Sequence, residues 1–161
     1  MELKFKVSAI VARPVAEVFE AVADPARLSQ YFTTGGAVGR PQTGATVTWE
    51  FVDFPGAFPV EIVAVEPNRR IVLKWEANEV SPAEGAEGAV APGGYMTTVT
   101  IAFEPLDGDT RTLVTIAEEG WRETPAGLAA SYGNCMGWSQ MLTALKAWVE
   151  HGINLREGMY V

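Results

Sequence analysis

The feature that most constrains the fold of this chain is one long apolar stripe at helical spacing near its C-terminus. Between about residues 134 and 152, apolar side chains recur at intervals of three and four, with mostly polar residues between them. This period indicates an amphipathic α-helix, which Gly152 is suited to end. Thr124 and Pro125 are typical of a helical lead-in, and Gly133 is expected to bend the path between the two segments. The stripe consists of Trp138, Met141, Leu142, Leu145, Trp148 and Val149.

Two tryptophans on one stripe require a broad apolar partner, and alternation of apolar and polar residues predicts the strands that supply it. Pro14 and the pair Asp24-Pro25 indicate two short helices after the first strand, and residues 35–41 read as a flexible glycine-rich connection. The six alternating segments lie at residues 2–8, 46–51, 60–65, 71–76, 95–103 and 112–118. The sequence therefore predicts an α+β fold, in which a curved six-stranded antiparallel sheet wraps around the long C-terminal helix.

One segment shows neither the spacing of a helix nor the alternation of a strand. Residues 77–94 are rich in Ser, Pro, Ala, Glu and Gly. This composition predicts a long mobile hairpin loop, which is either a lid over a site or a disordered segment.

Composition and charge exclude several classes of function. The 161 residues suit a single domain, 1–161, and the net charge of −8 argues against nucleic-acid and anionic-membrane partners. Cys135 is the only cysteine and His151 the only histidine, so neither an internal disulfide nor a His-rich metal site is expected. No phosphate-binding glycine motif or calcium loop occurs, and we expect no cofactor and no metal. The lone cysteine and the lack of a long apolar run lead us to expect a cytoplasmic protein.

Four stretches of the chain resemble the START-like (SRPBCC) helix-grip superfamily, and more narrowly its activator of heat-shock-protein-90 ATPase homology type. They read IVARPVAEVFEAVADPARLSQYF, VEIVAVEPNRRIVLKW, TRTLVTIAEEGW and GWSQMLTALKAWVEHG, and they follow the order found in the family. None of them is a catalytic motif. The resemblance implies the helix-grip fold and a cavity for a ligand between the sheet and the C-terminal helix.

The sequence offers a lining for such a cavity. By strand alternation the concave face is expected to carry Trp49, Phe51, Trp75, Tyr95, Val99 and Glu118. From the helices, the cavity is expected to be bordered by Tyr31, Phe32, Tyr132, Cys135, Met136 and Ser139. Aromatic and methionine side chains with a few polar groups are typical of small-molecule sites. The alternative is that these large side chains meet and fill the space.

Glu118 is the sharpest single candidate, because its parity places a carboxylate beside Val114 and Ile116 on the apolar face. Such a carboxylate has to be paired, protonated or close to solvent, and it could bind an amine or act as a general base. Arg40 and Arg122 are candidate partners. The alternative is that Glu118 ends its strand and simply reaches solvent.

These observations favour a protein that binds a small apolar or amphipathic ligand, as a monomer or a homodimer. Two alternatives stay open. One is a cyclase-like or hydratase-like enzyme that uses Glu118 or a tyrosine in the same cavity. The other is a protein-interaction module of the chaperone-activator type, with a chaperone as its partner.

Overall fold

The computed structural model describes residues 1–80 and 90–160, which form seven strands and three helices. The strands of this part of the chain make one antiparallel sheet in the order β1-β7-β6-β5-β4-β3-β2. The elements are β1 (Leu3–Val11), α1 (Val15–Ala23), α2 (Pro25–Leu28), β2 (Gly36–Val38), β3 (Thr46–Phe51), β4 (Phe54–Glu66), β5 (Arg70–Val80), β6 (Val90–Leu106), β7 (Arg111–Trp121) and α3 (Pro125–His151). The predicted α+β architecture of a curved antiparallel sheet with a long C-terminal helix is confirmed.

The predicted strand count is wrong by one. The additional strand, β2, lies in the glycine-rich segment that was expected to be a flexible connection, and Ala37 pairs there with Trp49 of β3. Three residues are too few for alternation to be read, and Gly36 adopts a φ of 116° that few other residues tolerate. The two short helices therefore connect opposite edges of the sheet, from β1 to β2.

The long helix α3 is continuous over 27 residues, so the helical lead-in and the long helix are one element that runs through Gly133. It begins where the Thr124 hydroxyl accepts a hydrogen bond from the backbone N–H of Gly127, at 3.0 Å. It ends at Gly152, which has a left-handed φ of 67° and donates its N–H to the last turn. A single glycine inside a helix costs only about 1 kcal/mol, and packing of the apolar stripe outweighs that cost.

The apolar stripe of α3 packs against the sheet. Trp138, Met141, Leu142 and Leu145 are buried, and the two members nearest the C-terminus are half-buried against the same core. The inner face of the sheet contributes the alternate residues of its strands, because side chains of one parity share a face. The core residues in the middle strands include Val60, Ile62, Ile71, Leu73, Val99, Ile101, Val114 and Ile116.

Strands β5 and β6 extend further than alternation indicated. Pairing continues to Glu79 with Ala91 and Val80 with Val90, because backbone hydrogen bonds need no apolar period. The rest of the predicted loop or lid, residues 81–89, lies outside the described residues. Across the described ranges, no helix combines the length and apolar character needed to cross a membrane.

Candidate functional site

The carboxylate of Glu118 lies in the interior between the sheet and α3. Val114, Ile116 and Glu118 follow one another at alternate positions of β7, and all three side chains are 0% exposed. The alternative that Glu118 reaches solvent at the end of its strand is therefore wrong. A bulge-like left-handed glycine, Gly120, follows it and ends the regular alternation before the strand does.

Four neutral side chains donate hydrogen bonds to this carboxylate, and they come from three different elements. Oε1 accepts from the indole Nε1 of Trp75 on β5 at 2.9 Å and from the hydroxyl of Thr97 on β6 at 2.7 Å. Oε2 accepts from the indole Nε1 of Trp138 on α3 at 2.9 Å. The amide Nδ2 of Asn134, one turn earlier on α3, lies 3.1 Å from each oxygen. We call these five residues the Glu118 network.

Burial and hydrogen bonding act on this carboxyl in opposite directions. Burial is the larger effect and raises the pKa of Glu118 above its usual value, while the four donors each lower it. Among the described residues, no Lys, Arg or His forms an ion pair with Glu118. The site therefore holds a carboxylate whose negative charge is met by neutral dipoles instead of a cation.

The two predicted arginine partners of Glu118 are wrong. Arg40 makes two hydrogen bonds to the carboxylate of Glu20 on α1, at 2.9 and 2.5 Å. Arg122 lies beyond the end of β7 and stacks over the ring of Tyr95, with 4.3 Å from the guanidinium carbon to the ring centroid. Linear sequence gives neither position, because both depend on where the chain turns after a strand.

Six aromatic rings form a connected cluster at the network, and two of them, Trp75 and Trp138, are members of it. The Trp138 ring lies 5.4 Å from Phe32 and 5.4 Å from Trp75, and Trp75 lies 5.9 Å from Trp49. Phe51 and Phe58 complete the cluster, with 5.6 Å between their centroids. Of the two expectations for this interior, an open cavity or side chains that fill it, these ring contacts favour the second.

One edge of the cluster is open to solvent. Phe58 and Trp75 are in ring contact, and Asn134 shares Oε1 of Glu118 with Trp75. These three residues are half-buried, whereas Trp49 and Trp138 are buried. Phe58 and Trp75 meet edge to face, with 6.1 Å between ring centroids and 61° between ring planes. We call these three half-buried residues the aromatic mouth. Cys135, which was also predicted to line the interior, is half-buried on α3.

Three other predicted lining residues, Tyr31, Tyr95 and Val99, lie outside the Glu118 network. Tyr31 is fully buried and donates its hydroxyl to the backbone oxygen of Ala21 at 2.8 Å, and burial raises its pKa well above the usual value. Tyr95 is half-buried and donates its hydroxyl to Glu79 at 2.6 Å. Val99 is buried in the main core. Tyr95 instead joins a smaller cluster around Trp121 near the start of α3.

Three predicted residues of α3 do not face the sheet. Tyr132 and Met136 are 68% and 56% exposed, and Ser139 is exposed as well. At roughly 100° per residue they lie about 100–160° around the helix from Trp138, so the expectation that they border the interior is wrong. The inward positions are those of Asn134 and Trp138, four residues apart.

Sequence reasoning missed Phe58, Thr97, Asn134 and Trp138 as members of the site. Thr97 shares its parity with Val99, and Asn134 precedes Trp138 by one turn, so both signals were present in the sequence. Phe58 was missed because β4 begins at Phe54, several residues before the alternating segment that was recognised.

Other parts of the described surface provide weaker candidates for a binding site. A groove of about 570 Å³ lies between α1, residues 40–43 and the turn after β4, and its lining includes none of the Glu118 network. Its charged pair, Arg40 and Glu20, is mutually satisfied. Within residues 1–80 and 90–160, no group of three or more His, Cys, Asp or Glu side chains is placed to hold a metal ion.

Comparison with solved structures shows close likeness over nearly the whole chain. The protein SSP2350 from Staphylococcus saprophyticus is 25% identical, with a TM-score of 0.73 and coverage of 96% of each chain. DynU16, described as a putative protein in the dynemicin biosynthetic locus, is also 25% identical with a TM-score of 0.73, over 95% of this chain and 49% of that one. The Aha1 dimer from Colwellia psychrerythraea shares the fold at 18% identity, with a TM-score of 0.69 and coverage of 93% and 98%.

Comparison with curated proteins gives no match. A model of the family described as "Activator of Hsp90 ATPase homolog 1-like protein" matches residues 12–150, which include every member of the Glu118 network and every ring of the aromatic cluster. The chain belongs to this family, and its fold is the helix-grip fold that the four quoted stretches indicated.

Proposed function

We propose that this protein binds a small apolar or amphipathic molecule at the aromatic mouth. The observation that carries the proposal is the Glu118 network, in which a fully buried carboxylate is held by four neutral donors directly behind half-exposed aromatic rings. Small-molecule sites combine apolar and aromatic walls with a few convergent polar groups, and the mouth has this composition.

Stability alone does not account for the network. A buried carboxylate without a cationic partner loses more solvation than neutral hydrogen bonds restore, as the raised pKa of Glu118 indicates. An apolar side chain of similar volume would avoid this cost, because well-packed apolar replacements of buried polar clusters are often neutral or stabilising. A chain that retains such a group next to a solvent-facing aromatic edge is better explained by a binding role.

The ring geometry indicates where a ligand would lie. Phe58 and Trp75 meet edge to face and both residues are half-buried, so part of each side chain is accessible to solvent. A ligand placed there would contact both rings, with the amide of Asn134 at its edge. The likeness to DynU16 supports a small-molecule role, since a biosynthetic locus is a setting in which small molecules are made.

The same geometry does not favour the enzyme alternative. Both oxygens of Glu118 accept hydrogen bonds, and the side chain is 0% exposed. A general base must come within hydrogen-bonding reach of the proton that it removes. Glu118 would have to break its bonds to Trp75 or Trp138 before it could contact a substrate.

The test is a titration with three amphiphiles that share an octyl chain and differ in charge: octyltrimethylammonium, octan-1-ol and octanoate. Binding is followed by the indole N–H resonances in NMR spectra. We expect at least one probe to shift the resonances of Trp75 and Trp138 saturably, while that of Trp148 at the far end of α3 stays in place. Failure of all three to shift Trp75 saturably would refute the proposal.

A matched pair of variants locates the binding. Phe58 and Phe54 lie on the same strand and at the same parity, but Phe54 is 51% exposed and makes none of the ring contacts of the cluster. Phe58→Ala should weaken binding about tenfold or more, which corresponds to about 1.4 kcal/mol. Phe54→Ala should leave it unchanged. Equal effects of both variants would place the ligand elsewhere.

A protein-interaction role is the second candidate, and the outer face of α3 favours it. Leu128, Tyr132 and Met136 lie four residues apart and are 38%, 68% and 56% exposed, so they form an apolar stripe without a partner within the described residues. The ATPase rate of an Hsp90-class chaperone, measured with the protein and with its Tyr132→Ser variant, tests this role. A rate increase that the variant abolishes would support it, and no change in rate would count against it.

A further inference from the structure

The carboxyl group behind the aromatic mouth has no cationic partner among the described residues. All five hydrogen bonds to Glu118 come from uncharged groups, two indoles, one amide and one hydroxyl. The arginines that were candidate partners are engaged elsewhere, Arg40 with Glu20 and Arg122 over Tyr95. Two of the donors, Trp75 and Trp138, can only donate, so they stabilise the ionised carboxylate and cannot accept a proton from it. The mouth therefore lies in front of a carboxyl group whose ionised form these donors stabilise.

The aromatic rings act in the same direction as the carboxylate. The face of an indole carries negative potential and attracts cations, with tryptophan the best of the aromatic residues. An N–H that donates to an anion pushes electron density into its ring, and both Trp75 and Trp138 donate to Glu118. Trp75 is half-buried and is accordingly an electron-rich ring at the mouth.

Burial of the carboxylate selects among cations. Glu118 is 0% exposed, so a small hydrated ion cannot replace its lost water by direct contact with the oxygens. A cation with an apolar shell loses little hydration and gains contact with Trp75 and Phe58. An anionic ligand is repelled by the same charge.

We infer that the ligand of the aromatic mouth is a cation with an apolar shell, a quaternary or alkylated amine seated on Trp75 and Phe58 in front of Glu118. This inference rests on the proposed function and specifies the ligand class for the same site. It uses cation–π contact for position and the buried carboxylate for charge selection.

The octyl series tests the ligand class directly in the unmodified protein. Octyltrimethylammonium should bind at least about tenfold more tightly than octan-1-ol, which is about 1.4 kcal/mol, and octanoate should bind most weakly. If octan-1-ol or octanoate binds at the mouth as tightly as the ammonium, this inference is wrong while the proposed function stands. If no probe binds, both are wrong.

Because the whole chain carries a net charge of −8, general attraction of cations has to be separated from the effect of Glu118. Glu118→Gln and Glu119→Gln remove the same charge from neighbouring residues, but Glu119 is exposed on the other face of the strand. Glu118→Gln should abolish the preference for the ammonium over octan-1-ol, and Glu119→Gln should retain it. Equal loss in both variants would assign the preference to general charge and overturn the inference.

A second measurement covers the case that Glu118→Gln fails to fold, since its amide NH₂ would face obligate donors. In the unmodified protein, the ratio of the affinities for the ammonium and for octan-1-ol is measured as the pH is lowered toward the usual carboxyl range. Protonation of Glu118 should reduce this ratio, and the ratio should recover on return to neutral pH. A ratio that tracks ionic strength but not pH would overturn the inference.

Discussion

Thr97→Val is the most direct test of the hydrogen bonds that hold Glu118. The substitution keeps the shape of the side chain and removes one hydroxyl, which donates to Oε1 at 2.7 Å. Thr112→Val is its matched control, because Thr112 is also 0% exposed and its hydroxyl donates at 2.9 Å to a neutral acceptor, the backbone oxygen of Arg13. The two variants differ mainly in the charge of the acceptor.

The expected losses follow from that difference. A hydrogen bond to a charged group contributes about 1.5–3 kcal/mol, and one between neutral groups about 0.5–1.5 kcal/mol. Thr97→Val should therefore lower the free energy of unfolding at neutral pH by about 1 kcal/mol more than Thr112→Val does. Part of each loss is offset because a buried methyl group replaces a buried hydroxyl.

The pH dependence distinguishes the two variants more sharply. The pKa of Glu118 is raised in the folded state. At pH values between the usual pKa and this raised pKa, the folded state therefore binds more protons than the unfolded state does. The free energy of unfolding consequently falls as the pH rises through this window. Loss of the Thr97 donor raises the pKa further. The loss of unfolding free energy caused by Thr97→Val should thus be smallest near pH 4.5, the usual pKa of a glutamate, and should grow until the pH exceeds the folded-state pKa of Glu118.

Urea unfolding of the parent and both variants at several pH values from about 4.5 to about 8 measures these deficits. The deficit of Thr112→Val should not change across this range, because Thr112 has no titrating partner. If the deficits of Thr97→Val and Thr112→Val stay parallel at every pH, the hydroxyl of Thr97 does not stabilise an ionised Glu118, and the account of the network is wrong.

Three further predictions concern α3. Gly127→Ala should destabilise the protein by about 1–3 kcal/mol, because the new Cβ would lie 2.1 Å from the backbone oxygen of Arg122. Gly133→Ala lies in open space on the same helix and should stabilise the protein by about 0.5–1 kcal/mol. A loss of stability in both variants on thermal unfolding would contradict this prediction. Thr124→Ala should lower the unfolding free energy by about 0.5–2 kcal/mol through loss of the N-cap, and Thr124→Ser should not. Trp148→Ala should cost less than the about 3–5 kcal/mol of a fully buried tryptophan, because Trp148 is half-buried.

The sequence predicted the parts of the fold that depend on a long, regular period. The stripe from Trp138 to Val149 has the spacing of one helix face over several turns, and strands such as β7 alternate without interruption. The parity of β7 also placed Glu118 on the inner face. Short or aperiodic elements were missed for the same reason, as β2 shows with its three residues.

The phase of α3 explains most of the errors at the site. Tyr132, Met136 and Ser139 were expected to border the interior, but they lie on the outer face of the helix. The stripe extended backwards from Trp138 by four residues reaches Asn134, which like Trp138 donates a hydrogen bond to Glu118. Helical phase therefore predicts that Asn134 faces inward, even though its residue type is less typical of an interior than Tyr132 or Met136.

The partners of Glu118 could not be read from the sequence at all. Its donors come from β5, β6 and α3, at separations of 43, 21, 16 and 20 residues from Glu118. Parity fixes which face a side chain takes, but not which residues of other elements meet it there. That information requires strand register and helix placement, which only the folded chain supplies.

The arrangement of these donors links the position of α3 to events at the mouth. Trp75 and Thr97 hold the carboxylate from the sheet, while Asn134 and Trp138 hold it from α3, so Glu118 joins the two layers. Trp75 and Asn134 also belong to the mouth, so the proposed ligand would contact one donor from each layer. If binding keeps these bonds, the ligand favours the docked position of α3, and occupancy must appear as added stability of RT ln(1 + [L]/Kd). If binding instead breaks these hydrogen bonds, the same ligand loosens the contact of α3 with the sheet. Hydrogen exchange of the helix amides would then become faster, whereas mass action alone predicts that it becomes slower.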